Sequence, residues 1–213
     1  MKLLVCVTCG PAYEPLDDVR RLTNFSTGEI GAVLVRELLG AGAETICFRG
    51  EGATASAPDG DVRGFTTNAS LSDALQKLHP SPDLIFHAAA LSDFTIGEID
   101  RGGLAKLDSR KGEIQVTLVP APKVLPLMKR WFPNSCVVGW KYELDGTRRD
   151  ALARAARQIE TSGTQACVVN GRAYGEGFGL LFPDGRLAEY PDKPSLAAGL
   201  AATFVRPLSG RLT

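Results

Sequence analysis

Apolar and polar positions along the chain follow two periods in turn. Short apolar runs at Leu3–Val7, Glu44–Phe48, Asp61–Phe65, Asp83–His87, Ser135–Gly139 and Gln165–Asn170 read as strands. Between several of them the apolar positions take helical spacing. Ile30, Val33, Leu34 and Leu38 stand at i, i+3, i+4 and i+8 and share one face. Ser70–Asp73 starts a second helix with Leu71, Ala74, Leu75 and Leu78 on one side. Pro122 is expected in the first turn of a third, which runs through Leu125 and Met128 to Trp131 and stops at Pro133. Thr147 and Asp150 open a fourth, with Leu152, Ala155, Ala156 and Ile159 inward and Gly163 at its end. Strands alternating with helices imply an α/β fold, a Rossmann-like doubly wound, mostly parallel sheet. Ligands of such sheets bind at the carboxyl ends of the strands.

Two segments depart from this alternation. Residues 94–120 hold no clear helix and carry Gly97, Gly102, Gly103 and Gly112. Within them Glu113–Val119 alternates polar and apolar, which suits a strand with Ile114, Val116 and Leu118 on its apolar side. That side needs a cover, so the excursion is expected to protrude as an arm onto a second copy of the chain, making a homodimer. Residues 178–190 read as a hairpin turning at Pro183-Asp184-Gly185. No repeats or low-complexity tracts occur, so residues 1–213 are expected to form one domain with an excursion at about 94–120.

A long connection lies between the first strand and the first helix, Thr8 to Gly31. It is far longer than the two to six residues usual for such a link, which marks it as a binding loop. At its end Ser26-Thr27-Gly28-Glu29 fits a capping box, with Ser26 as cap and Glu29 three positions on. The same helix start offers free N–H groups to a phosphate, which Glu29 would oppose. Local spacing leaves both readings open.

Composition narrows the function. The chain has 213 residues, 44% hydrophobic and 23% charged, with 24 basic and 24 acidic side chains. A net charge of zero carries no footprint for nucleic acid. No apolar run approaches the roughly eighteen residues of a membrane span, and no signal-peptide pattern precedes the first strand, so a cytoplasmic protein is expected. Cys6, Cys47, Cys136 and Cys167 lie in or beside apolar runs and read as core residues. Cys6-Val7-Thr8-Cys9 lacks the second pair that a structural zinc site needs, so no metal site is expected of the cysteines.

Thr8, Gly10, Glu14, Pro15, Asp17, Val19, Arg20, Asn24, Ser26, Gly28 and Gly31 stand without gaps at the positions of a signature T-x-G-G-T-x-E-P-I-D-x-V-R-x-I-x-N-x-S-S-G-x-x-G. By these residues the chain resembles the phosphopantothenoylcysteine synthetases, the C-terminal-type domain of the DNA/pantothenate metabolism flavoprotein family. Pro11 and Ala12 depart from it, standing where that family has Gly and Thr, and Pro11 has no N–H to offer a phosphate. Further along, Ala88-Ala89-Ala90-Leu91-Ser92-Asp93-Phe94 is similar to the family's A-A-V-A-D-Y, and Lys106-Leu107-Asp108-Ser109 to its lysine motif. Val119 to Leu125 resembles V-x-x-P-x-I-L, Gly139-Trp140 resembles G-F, and Asn170 matches the Asn of V-A-N-D, with Gly171 replacing the Asp.

The resemblance implies an enzyme joining 4′-phosphopantothenate to cysteine through an acyl-nucleotide, in coenzyme A biosynthesis. It implies CTP, or ATP, with Mg²⁺, and no flavin, because the flavin-binding decarboxylase domain is absent. Asn24 and Lys106 are the expected catalytic residues, and Arg20 and Asn24 the substrate-binding ones. Gly10, Ser26, Gly28, Ala88, Ala89, Asp93, Trp140 and Arg154 are expected at the nucleotide. Taken alone, each has a plainer reading: Asp93 as a turn cap, Lys106 as part of a solvated loop, Trp140 as core, and His87 as a partly buried strand end. Two rival functions remain, a non-catalytic paralogue that binds nucleotide or a phosphorylated acyl ligand, and a short-chain-type oxidoreductase. The second lacks G-x-G-x-x-G and the Tyr-x-x-x-Lys pair.

Overall fold

A computed structural model describes residues 2–99, 105–108, 110 and 112–206. Gly102, Gly103, Ser109 and Lys111 of the excursion lie outside the described residues. The expected alternation is present. Strands β1 (Leu4–Cys9), β4 (Glu44–Gly50), β5 (Asp61–Phe65), β6 (Leu84–His87), β9 (Cys136–Tyr142) and β10 (Ala166–Asn170) run parallel. Two antiparallel strands, β11 (Phe178–Leu181) and β12 (Leu187–Tyr190), extend one edge and form the expected hairpin. The sheet order is β12-β11-β10-β9-β6-β1-β4-β5. Chain order therefore reverses between β1 and β6, and a doubly wound sheet opens its ligand crevice at such a switch point.

Helix α1 (Glu29–Gly40) packs on one face together with α5 (Lys193–Leu200), which continues into a π-helical turn at Ala201–Val205. Leu34, Val35 and Leu38 meet Leu196, Leu200 and Phe204 there over Val5, Val7 and Phe86 of the sheet. Helices α2 (Asn68–Gln76), α3 (Leu125–Trp131) and α4 (Arg148–Ser162) cover the other face. Leu71, Leu75 and Met128 are fully buried against Cys6, Phe48 and Ile85. Each such side chain contributes about 1.5–3 kcal/mol. Cys6 and Cys9 are three apart on one strand and belong to opposite faces, so this C-x-x-C cannot chelate. All five cysteines are free. Among the described residues no helix is long and apolar enough to cross a membrane.

Several local expectations are corrected. The cap of α1 is Gly28, not Ser26, and Glu29 is the first helical residue rather than the third. Gly28 takes φ +77°, and a Cβ there would stand 2.9 Å from Ala53 Cβ and 3.4 Å from Gly10 Cα. The close approach of three loops, rather than a side-chain cap, sets this helix start. Thr147 and Asp150 do form the reciprocal capping box of α4, but Ala156 faces solvent. Pro122 precedes α3, whose first turn holds Pro126 instead. The excursion contains a hairpin, β7 (Phe94–Ile99) against β8 (Val116–Pro120), so the strand begins at Val116 and has a partner that the pattern did not reveal. Both faces of β8 are exposed. The long loop after β1 carries its own small hairpin, β2 (Tyr13–Pro15) with β3 (Arg21–Thr23).

Candidate functional site

The strands at the switch point continue to pair beyond their ends. Ala88 N–H donates to Thr8 O at 2.9 Å, Ala90 N–H to Gly10 O at 2.9 Å, and Ala12 N–H to Ala90 O at 3.0 Å. Gly10 and the small residues 88–90 are thereby held side by side at the carboxyl edge, where a ligand can approach backbone closely. Beneath them Thr8 Oγ1 and His87 Nδ1 are 2.6 Å apart. His87 is buried rather than partly so, and that burial lowers its imidazole to about 4, which keeps it neutral.

This pairing also involves Pro11 and Ala12. Both are buried. Ala12 sits in the core with Ile46, Phe48 and Phe65, and Pro11 packs its ring near Gly52. The N–H at position 12 is already spent on Ala90. The side chains at these two positions pack in the core.

Asn24 is tied to the same stretch of backbone. Its Nδ2 donates to Ala90 O at 3.0 Å and to Leu91 O at 3.1 Å. With both amide protons used, Oδ1 is the atom left to meet a ligand. Gly28 and Gly10 complete this group, and Ser26 lies half-buried beside Asn24 in the chain. Glu29 pairs with Lys193 at the start of α5, a cation that the sequence reading missed. That pairing offsets the charge that would oppose an anion at the start of α1.

A second group forms around Asp17. Its carboxylate accepts from Val19 N–H at 2.9 Å, Arg20 N–H at 2.6 Å, Arg20 Nη1 at 2.6 Å and Leu107 N–H at 3.0 Å. Burial alone would raise this carboxyl. The three backbone donors and the Arg20 charge outweigh that and hold it at about 2. Asp17 and Arg20 thus both bind the backbone of Leu107, the residue next to Lys106. Lys106 is exposed and forms no ion pair among the described residues.

The remaining expected residues stand further out. Asp93 is exposed and pairs with Lys123, a second cation that sequence reading missed although it stands inside the V-x-x-P-x-I-L match. Trp140 is half-buried on β9 and packs on the α1–α5 face. Arg154, on α4 across the sheet, donates to Glu143 at 2.5 Å and to Asp145 O at 2.9 Å. Neither reaches the Asn24 group through a hydrogen bond or ion pair among the described residues. Asn170 ends β10 with its Oδ1 buried and unpartnered. A Cβ at the neighbouring Gly171 would lie 2.4 Å from Glu143 O at φ +111°, so the family's Asp has no room here.

The described residues thus bring small side chains and closely paired backbone to the carboxyl edge, with an outward amide oxygen at Asn24 and exposed cations at Lys106 and Lys123. Such a set can hold a phosphorylated nucleotide and stabilise developing negative charge. Among the described residues no three His, Cys, Asp or Glu converge as a metal cage.

Comparison with known proteins agrees with this architecture. The model of the DNA/pantothenate metabolism flavoprotein C-terminal domain matches residues 2–184. The coenzyme A biosynthesis bifunctional protein CoaBC of Mycobacterium bovis is 30% identical over 193 residues, covering 87% of this chain and 45% of that protein. The chain spans less than half the length of the curated relatives it matches, 40% in the case of CoaBC from Thermococcus kodakarensis. Among solved structures, the DNA/pantothenate metabolism flavoprotein from Streptococcus pneumoniae aligns with TM-score 0.82 at 22% identity, covering 94% of this chain and 97% of that one. A Cab2 mutant in complex with phosphopantothenate-cysteine aligns at 0.76 and 19%, covering 99% and 89%. Identities this low carry the fold alone.

Proposed function

The chain belongs to the DNA/pantothenate metabolism flavoprotein C-terminal domain family, and from that premise we propose that it is a phosphopantothenate–cysteine ligase using CTP. What supports this reading is Asn24, tied to the 90–91 backbone at the carboxyl ends of β1 and β6, together with the Asp17 group on the same loop, which holds Arg20 against the backbone next to Lys106.

A carboxylate is a poor acyl donor because its leaving group would be oxide. In the proposed reaction a carboxylate oxygen of 4′-phosphopantothenate attacks the α-phosphorus of the nucleotide. The bond to the β-phosphate oxygen breaks and pyrophosphate leaves. Lys106, a point charge on a flexible stem, meets the negative charge that builds up at the phosphates. Arg20 takes the substrate's own phosphate, which suits its forked guanidinium. The cysteine amine then attacks the acyl carbon and loses a proton, and the nucleoside monophosphate leaves with the former carboxylate oxygen. Asn24 Oδ1 accepts an N–H of the incoming amine and aligns it, which is a positional contribution.

Magnesium fits as a companion of the triphosphate, with Asp93 as an exposed carboxylate at the rim. When bound, the ion would offset phosphate charge. The exposed β7–β8 hairpin suits a second copy of the chain, so the working unit is a homodimer. Pyrophosphate release tests the reading: it should require phosphopantothenate, proceed without cysteine for one turnover, and be faster with CTP than with ATP. No release with either nucleotide would overturn it.

A further inference from the structure

Lys106 is fixed at both sides. Asp18 N–H donates to Ala105 O at 3.0 Å. Leu107 N–H donates to Asp17 Oδ2 at 3.0 Å, and Arg20 Nη1 donates to Leu107 O at 3.3 Å. These bonds fall on the immediate neighbours of the lysine, so its Cα and the direction of its Cβ are set by the loop that follows β2.

Asp17 is the centre of this clamp, and its side chain is 0% exposed. Its two oxygens have separate partners. Oδ1 takes the N–H groups of Val19 and Arg20, a local turn. Oδ2 takes Arg20 Nη1 and the distant Leu107 N–H, ninety residues along the chain. A turn alone would need only the first pair. Resting on the ligase reading above, we propose that Asp17 is a positioning residue for Lys106: through Leu107 it sets where the ammonium stands at the reacting phosphates, and it orients Arg20 in the same act.

Substitution can separate the two duties. All four partners are donors, so the amide of Asp17→Asn must turn its NH₂ against one pair. The hydroxyl of Asp17→Ser can still serve the local turn but is too short to reach Leu107. Both variants should slow pyrophosphate release on the order of a hundredfold, the effect of a misplacement near 1 Å. Added to Lys106→Gln, either should cost less than about a further twofold, because a misplaced lysine and a missing one do the same harm. Losses that multiply would overturn the inference. Hydrogen exchange gives a reading without catalysis. The Leu107 amide should exchange at least about tenfold faster in Asp17→Ser, while amides of β1 and β6 stay protected and report an intact fold. An unchanged Leu107 amide would also overturn it. A natural chain that releases no pyrophosphate overturns the ligase reading and not the clamp, which the exchange measurement then decides by itself.

Discussion

The Asn24 amide nitrogen stands 3.0 Å from the carbonyl oxygen of Ala90, with Leu91 O at 3.1 Å on its other side. Two acceptors fix which way the amide points. Asn24→Asp would set a carboxylate oxygen against both carbonyls and remove both bonds, each worth about 0.5–1.5 kcal/mol. In the proposed reaction the first half-reaction does not use this side chain. The variant should therefore release pyrophosphate but form the amide on the order of a hundredfold more slowly, and acyl-nucleotide should accumulate in the quenched mixture by mass spectrometry. Normal product formation would remove Asn24 from the second step.

Pro11 and Ala12 are buried, and the N–H at position 12 is bonded to Ala90. Changing them to the family's Gly and Thr should bring no gain in CTP affinity by calorimetry. It should lower the melting temperature, since Gly adds freedom to the unfolded chain and Thr buries a hydroxyl. A tenfold gain in affinity would place the phosphates at this loop after all.

His87 gives stability a defined dependence on pH. Its imidazole titrates at about 4 when folded, against 6.5 ordinarily. The unfolded chain therefore binds more protons between these values, and stability falls as pH falls through that window. Above 6.5 the full stability is present. The difference is worth about 3 kcal/mol. His87→Asn should remove this acid sensitivity in urea titrations at pH 7 and pH 4.5. An unchanged slope would mean that His87 stays charged in the folded chain or that another group carries the effect.

Much of this molecule is legible in its pattern, where the signal is local. The parallel strands follow from apolar runs, and the start of α4 follows from Thr147 and Asp150, because a capping box is complete within four residues. Ser26 and Glu29 show the same spacing and do not cap. The chain there is governed by Gly28 packing on Gly10 and Ala53, which no local pattern encodes. Helix α5 escaped notice because its small residues, Ala197, Ala198 and Gly199, give little contrast between faces. Strand β7 escaped because Gly97 interrupts its alternation. In the candidate site, Asn24, Arg20 and Lys106 were expected only through the matched motifs. The bond from Leu107 to Asp17 was not, since a backbone N–H leaves no trace in the residue types.

The hairpin β7–β8 leaves Phe94 51% and Leu118 43% exposed, and Phe25 beside the cleft is fully exposed. Apolar surface of this kind is usually covered by a partner. Light scattering should give twice the chain mass at micromolar concentration, and Leu118→Asp with Val119→Asp should halve it. A natural chain that stays monomeric at high concentration would rule out the dimer.

The central claim is that the substrate's carboxylate oxygen attacks the nucleotide's α-phosphorus. Phosphopantothenate labelled with ¹⁸O in its carboxylate, turned over with CTP and cysteine, follows that oxygen. The expected result is one labelled oxygen in the released nucleoside monophosphate and none in pyrophosphate. Label in inorganic phosphate, with nucleoside diphosphate as the co-product, would contradict it, because the acyl group would then have been activated at the γ-phosphate.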